Sequence, residues 1–177
     1  MSGDGAGNTP LGETAASGPD ARFEDADAGE KALRLKAETA DDLAVISSLM
    51  QDAVGTLGDI VWMRKKRRLV VMANRFRWED AEAAAAEGRP YERVRAALTL
   101  EDVLSVKGRG IAPGDREVVV SLLSVAFEPG EDGAGRVILT LAGDAEIAAE
   151  VECLDASLAD LTRPWIAQAK APPAHEP

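Results

Sequence analysis

The chain has 177 residues, with 20 basic and 31 acidic side chains, a formal charge of −11 and 46% apolar residues. That length suits one core with tails, since domains usually run to about 100–150 residues. One Cys excludes an internal disulfide, and the one His, His175, lies in the Pro-rich end APPAHEP, where neither a catalytic triad nor a zinc site finds a packed imidazole.

Residues 1–32 hold seven acids, two bases and six glycines, with only Leu11 and Phe23 as large apolar residues. Such a segment buries too little surface to offset chain entropy, and it reads as a disordered acidic tail. It lacks the basic and apolar regions of a secretory signal, and no apolar run approaches the ~20 residues of a membrane helix. A cytoplasmic protein without membrane insertion is expected.

The alternation Leu33-Arg34-Leu35-Lys36 predicts a short strand. Thr39 followed by Asp41 and Asp42 predicts an N-cap, and Leu43, Ile46, Leu49, Met50 and Ala53 continue at helical spacing, so a helix is expected over 40–51. Gly55 and Gly58 read as its stop. Leu57–Met63 and Arg67–Phe76 then read as strands flanking a cationic turn, Arg64-Lys65-Lys66.

Residues 79–90 (EDAEAAAAEGRP) read as a surface loop with a frayed helical turn. Val94, Ala96, Leu98 and Leu100 alternate with Arg93, Arg95, Ala97 and Thr99, as in a sheet with one wet face. Val103–Lys107 continues or restarts that strand, and GRGIAPGDR reads as a loop, with Arg109 in its turn. Glu117–Phe127 is nearly all apolar and is expected to be a central strand covered on both sides. Arg136–Leu141 and Glu146–Cys153 form a predicted hairpin around Gly143-Asp144. Asp155–Leu161 reads as a short helix that stops before Pro164, with Trp165 docked on the domain.

The ordered domain is thus expected over 33–166, followed by a disordered Pro-rich tail, 167–177. The fold class is α+β, with a mostly antiparallel sheet, one N-terminal helix and one short C-terminal helix. The expected architecture is a roll or half-open barrel of the pleckstrin-homology-like kind, with a two-layer α/β sandwich as the competing topology.

The most distinctive stretch is WMRKKRRLVVMANRFRW, residues 62–78. It places seven cations, Arg64, Lys65, Lys66, Arg67, Arg68, Arg75 and Arg77, in a span without an acid. With Trp78 these residues form the candidate partner- or anion-binding set. A protein partner is the leading reading. Nucleic acid, a phosphorylated metabolite or an anionic head group is the alternative, since cations meet phosphate and exposed aromatics stack on bases. The chain's own acidic tail is a further occupant. Charge at a hairpin tip also serves simply to solvate it and to discourage edge pairing. Trp62, Phe76 and Trp78 fit core or edge-covering positions as well.

Catalytic signals are sparse. Neither GxGxxG nor GxxxxGK[ST] occurs, and no cofactor is implied. Glu146, Glu150 and Glu152 share a strand face and present carboxylates for a metal or for acid–base work, although an ordinary solvated face explains them equally. Arg93 and Arg95 are expected to pair with Glu150 and Glu152 across the sheet. Cys153 ends an apolar alternation and is expected to be buried. The reading leans away from an enzyme.

Three blocks in order, LRLKAETADDLAVISSLMQDAVGTLGDIVW, NRFRWE and AEIAAEVECLDASLADLTRPW, resemble an uncharacterised alphaproteobacterial family that is catalogued as a domain of unknown function. The resemblance spans 33–166. It implies a bacterial cytoplasmic protein and carries no activity, cofactor or catalytic residue.

Overall fold

The computed structural model describes residues 32–112, 114–168 and 171–174. The expected acidic tail, apart from Ala32, lies outside the described residues, as does His175.

Strand β1 (Arg34–Ala37) leads into helix α1 (Ala40–Met50). A reciprocal cap starts the helix. The Asp42 amide donates to Thr39 Oγ1 at 3.2 Å, and the Thr39 amide donates back to Asp42 Oδ2 at 3.2 Å. Leu43, Ile46 and Met50, three and four positions apart, turn one face of α1 into the core.

The chain continues as β2 (Ala53–Thr56), a 3₁₀ turn, β3 (Ile60–Met63), the tip turn Arg64–Lys66 and β4 (Arg68–Phe76). Here β2 was not expected, because Gly55 sits inside it rather than ending the helix. Next comes helix α2 (Trp78–Glu87). The stretch read as a loop is therefore a full helix: alanine lowers the cost of helix, and Gly88 closes it at φ +64°, a conformation that glycine takes without a Cβ clash.

Strands β5 (Glu92–Leu100), β6 (Val103–Arg109), β7 (Val119–Pro129), β8 (Gly135–Leu141) and β9 (Ala145–Val151) follow largely as expected. Last come β10 (Ala156–Asp160) and the two-residue β11 (Trp165–Ile166). The expected C-terminal helix over Asp155–Leu161 is thus a strand. Ala156 and Leu158 are buried while Ser157 and Ala159 are less so, a period of two that a five-residue run shares with part of a helix turn. Pairing decided it, because β10 lies between β1 and β5.

All pairings are antiparallel, in the order β1-β10-β5-β4-β2-β7-β8-β9-β6, with β3 beside β4 and β11 beside β5. The sheet is open, with β1 and β6 each holding one strand neighbour in that path. The pleckstrin-homology-like plan thus loses its C-terminal helix, and a strand takes that segment. The path still bends back. The Val103 amide at the start of β6 donates to the Arg67 carbonyl beside β4 at 2.8 Å.

The core lies on the inner face. Leu69, Val71 and Ala73 of β4 stand opposite Leu100, Leu98 and Ala96 of β5, all buried, and α1 packs with them. Leu139, Leu141, Ile147 and Ala149 extend the same cluster. By contrast β7 is not covered on both sides, since Val119 is 68% exposed and Leu123 37%. Its register breaks between Leu122 and Ser124, and α1 compensates there, with Ser47 Oγ accepting from the Val125 amide at 2.8 Å. Pairing continues past β11, where the Ala167 amide donates to the Tyr91 carbonyl at 2.7 Å.

Candidate functional site

The β3–β4 hairpin is built by the pairing Ile60↔Val71 through Met63↔Arg68. Its tip is a 3₁₀ turn closed by Arg67 in the left-handed region at φ +51°, whose amide donates to the Arg64 carbonyl at 3.1 Å. Arg64, Lys65 and Lys66 are exposed, and among the described residues none of the three meets a carboxylate. The Arg64 guanidinium lies 5.9 Å from the Trp62 ring centroid, within reach of the ring quadrupole.

The next two cations are neutralised. Arg67 pairs with Glu152 and, at 3.4 Å, with Asp102. Arg68 pairs with Glu101 at 2.7 Å. Hydrogen bonds to Glu152 and to Glu101 hold these two guanidinium groups above their ordinary pKa. Trp62 Nε1 and Arg67 Nε are buried without a hydrogen-bond partner among the described residues.

Arg75, Arg77 and Trp78 sit at the other end of β4, roughly 23 Å along the strand from Arg68 at ~3.3 Å per residue. Arg75 is fully buried on the inner face. It donates to Glu79 at 2.7 and 2.9 Å and to Asp160 at 2.9 Å twice. Burial opposes its charge, but these hydrogen bonds outweigh burial and raise its pKa. Arg77 pairs with Glu92. Trp78 is half-buried, its Nε1 donating to the Gln51 carbonyl at 3.0 Å and its ring 4.7 Å from that of Phe76. Of the eight candidates, the fold gathers Arg64 to Arg68 at one tip and sets Arg75, Arg77 and Trp78 into a separate, internally satisfied cluster. Trp78 is no open stacking platform.

Glu146 and Glu150 of β9, and Glu152 one residue beyond its end, face separate arginines. Glu146 meets Arg109 at 3.2 Å, Glu150 meets Arg136 at 4.0 Å, and Glu152 meets Arg67. Among the described residues no three His, Cys, Asp or Glu side chains are placed to hold a metal ion. Cys153 is exposed rather than buried, and desolvation with its hydrogen bond to Asp102 raises its thiol pKa, the wrong direction for a nucleophile.

Arg93 and Arg95 do not reach Glu150 and Glu152. They share the outer face of β5 with Asn74 of β4, and Arg95 pairs with Asp59 at 2.8 Å. This face escaped the sequence reading because its partners come from β2, β4 and the 3₁₀ turn. The alternation of Arg93 and Arg95 was the available signal.

No helix among the described residues is long and apolar enough to cross a membrane. No curated protein and no solved structure matches the chain. Residues 33–175 match the family described as protein of unknown function (DUF2948), and the chain belongs to that family.

Proposed function

We propose that the domain is a non-enzymatic binding module that docks on an acidic protein surface through Arg64, Lys65 and Lys66. One observation carries this reading. The fold neutralises Arg67, Arg68 and Arg75 with its own carboxylates, yet leaves the three tip cations exposed and, among the described residues, without an acid. Exposed charge of one sign at a tip steers association with a surface of the other sign. Three cations on a chain of net charge −11 make a weak track for a polynucleotide, and Trp78 is engaged elsewhere.

The test is a titration of the full chain with an acidic peptide and with a single-stranded oligonucleotide of equal charge, at low and high salt. The acidic peptide is expected to bind, to weaken with salt, and to lose at least about tenfold in affinity in an R64E/K65E/K66E variant. Equal binding by that variant sinks the site. Tighter binding of the oligonucleotide replaces the protein partner with nucleic acid.

A further inference from the structure

A second feature lies on the outer face, toward the Asn74 end of β4. A cleft of about 360 Å³ opens between β2, β4 and the segment at β11, lined by Val54, Asn74, Arg93, Trp165, Ile166 and Gln168 among others. Arg93 is half-buried in it, and among the described residues no carboxylate lies within ion-pair distance of its guanidinium. Its Nη1 donates to the Asn74 carbonyl at 3.2 Å. That hydrogen bond fixes the arginine while leaving donors of the fork for a ligand.

Asn74 is oriented by its neighbours. Arg95 has only donors, so Asn74 presents Oδ1 to Arg95 Nη1, at 3.4 Å, and its amide nitrogen remains available as a donor. Arg95 in turn is held by Asp59 at 2.8 Å, and Asp59 by the Thr56 amide and hydroxyl at 3.0 Å each. The Thr56 amide, followed by burial that opposes it and then by the Thr56 hydroxyl and Arg95, leaves Asp59 below its ordinary pKa, so the chain of contacts stays charged near neutrality. Glu92, the acid adjoining Arg93, is occupied by Arg77. Trp165 stands directly across from Arg93 in the β5–β11 register and remains 39% exposed.

We infer that this cleft binds a small organic monocarboxylate with an aromatic or branched apolar body. The carboxylate meets the Arg93 fork and the Asn74 amide, and the apolar body lies against Trp165 and Val54. A cationic fork matches a planar carboxylate bidentately. A single unpaired cation balances one negative charge, which favours a carboxylate over a phosphate dianion. The volume lies at the small end of ligand sites, about 300–1,000 Å³, the range of a one- or two-ring molecule. The site is independent of the tip.

The test is a titration of the full-length protein with benzoate, indole-3-acetate, neutral benzyl alcohol and inorganic phosphate, followed by backbone amide NMR. The two aromatic carboxylates are expected to shift the amides of Asn74, Arg93 and Trp165 to Ala167 in a saturable way, at least about tenfold more tightly than benzyl alcohol or phosphate. R93Q is expected to weaken binding at least about tenfold, and W165A to weaken it with the spectrum otherwise that of a folded chain. R64E/K65E/K66E is expected to bind unchanged, which separates this site from the tip. Absent shifts up to about 20 mM carboxylate, shifts elsewhere on the domain, or undiminished binding by R93Q overturn the site. Phosphate binding as tightly as benzoate overturns the ligand class.

Discussion

Arg75 and Asp160 lie 85 residues apart in the chain and meet through two hydrogen bonds of 2.9 Å each. The pair joins the end of β4 to the end of β10 across β5, and Glu79 at the start of α2 completes it at 2.7 Å. An arginine with no exposed surface is retained here because its fork finds two carboxylates.

Removing only the arginine leaves the nearly buried Asp160 carboxylate without its partner and adds the repulsion of the more exposed Glu79. Arg75→Met is expected to cost about 3–5 kcal/mol in urea unfolding. A triple variant, R75M/E79L/D160L, is expected to recover most of that loss. Equal instability of the single and triple variants contradicts this account of the cluster.

The same cluster sets an acid limb. Burial, the largest single influence, raises the Glu79 pKa, but its hydrogen bonds to Arg75 and to a backbone amide and the charges of Arg75 and Arg77 together outweigh it and leave the carboxyl below its ordinary 4.5. A carboxyl depressed in the folded state contributes stability that is complete above its unfolded pKa and is lost as pH falls through the folded value. Wild-type stability is therefore expected to drop as pH is lowered below 4.5. Glu79→Gln is expected to be less stable than wild type at neutral pH and to show a shallower decline in acid. Denaturant titrations at a series of pH values measure both slopes.

The β7 irregularity makes a separate prediction. Val125 has its amide bonded to Ser47 Oγ of α1, next to the register shift. Ser47→Ala leaves a partly buried donor without a partner and is expected to cost about 1–2 kcal/mol. Hydrogen exchange at the Val125 amide is expected to speed up, and Ser47→Thr to restore protection. Unchanged exchange in Ser47→Ala contradicts the role of the hydroxyl.

Gly135 opens β8, where a Cβ would run into the Glu128 carbonyl oxygen and stand 2.7 Å from the Phe127 ring. A backbone oxygen in a paired strand cannot swing aside as a side chain can. Gly135→Ala is expected to destabilise by about 1–3 kcal/mol, seen as a lowered urea midpoint.

The tip cations are expected to behave in the opposite way. Exposed and, among the described residues, without an acid, the side chains of Arg64, Lys65 and Lys66 hold no ion pair for the fold to lose, so R64E/K65E/K66E is expected to change stability by no more than about 0.5 kcal/mol. Arg68→Glu, which sets two carboxylates together at Glu101, is expected to destabilise the domain measurably. Comparable losses in both variants would mean that the tip is structural.

Local signals were legible in the residues alone. Thr39 and Asp42 marked the helix start, the alternation from Val94 to Leu100 marked a strand, and hairpin-linked strands required antiparallel pairing. The cationic tip was visible because a turn must lie between two apolar runs. Only tertiary structure divided the seven cations into exposed and enclosed sets. Arg75 lies on the inward register of β4, with Leu69, Val71 and Ala73, and is tolerated there because Asp160 arrives on a distant strand. The segment Ala156–Asp160 satisfies helix and strand equally by composition, and the open edges of β1 and β5 made it a strand. Periodicity states which side of an element is apolar. Which acid meets which base, and which arginine beside a cleft has no carboxylate among the described residues, depends on contacts between residues far apart in the chain.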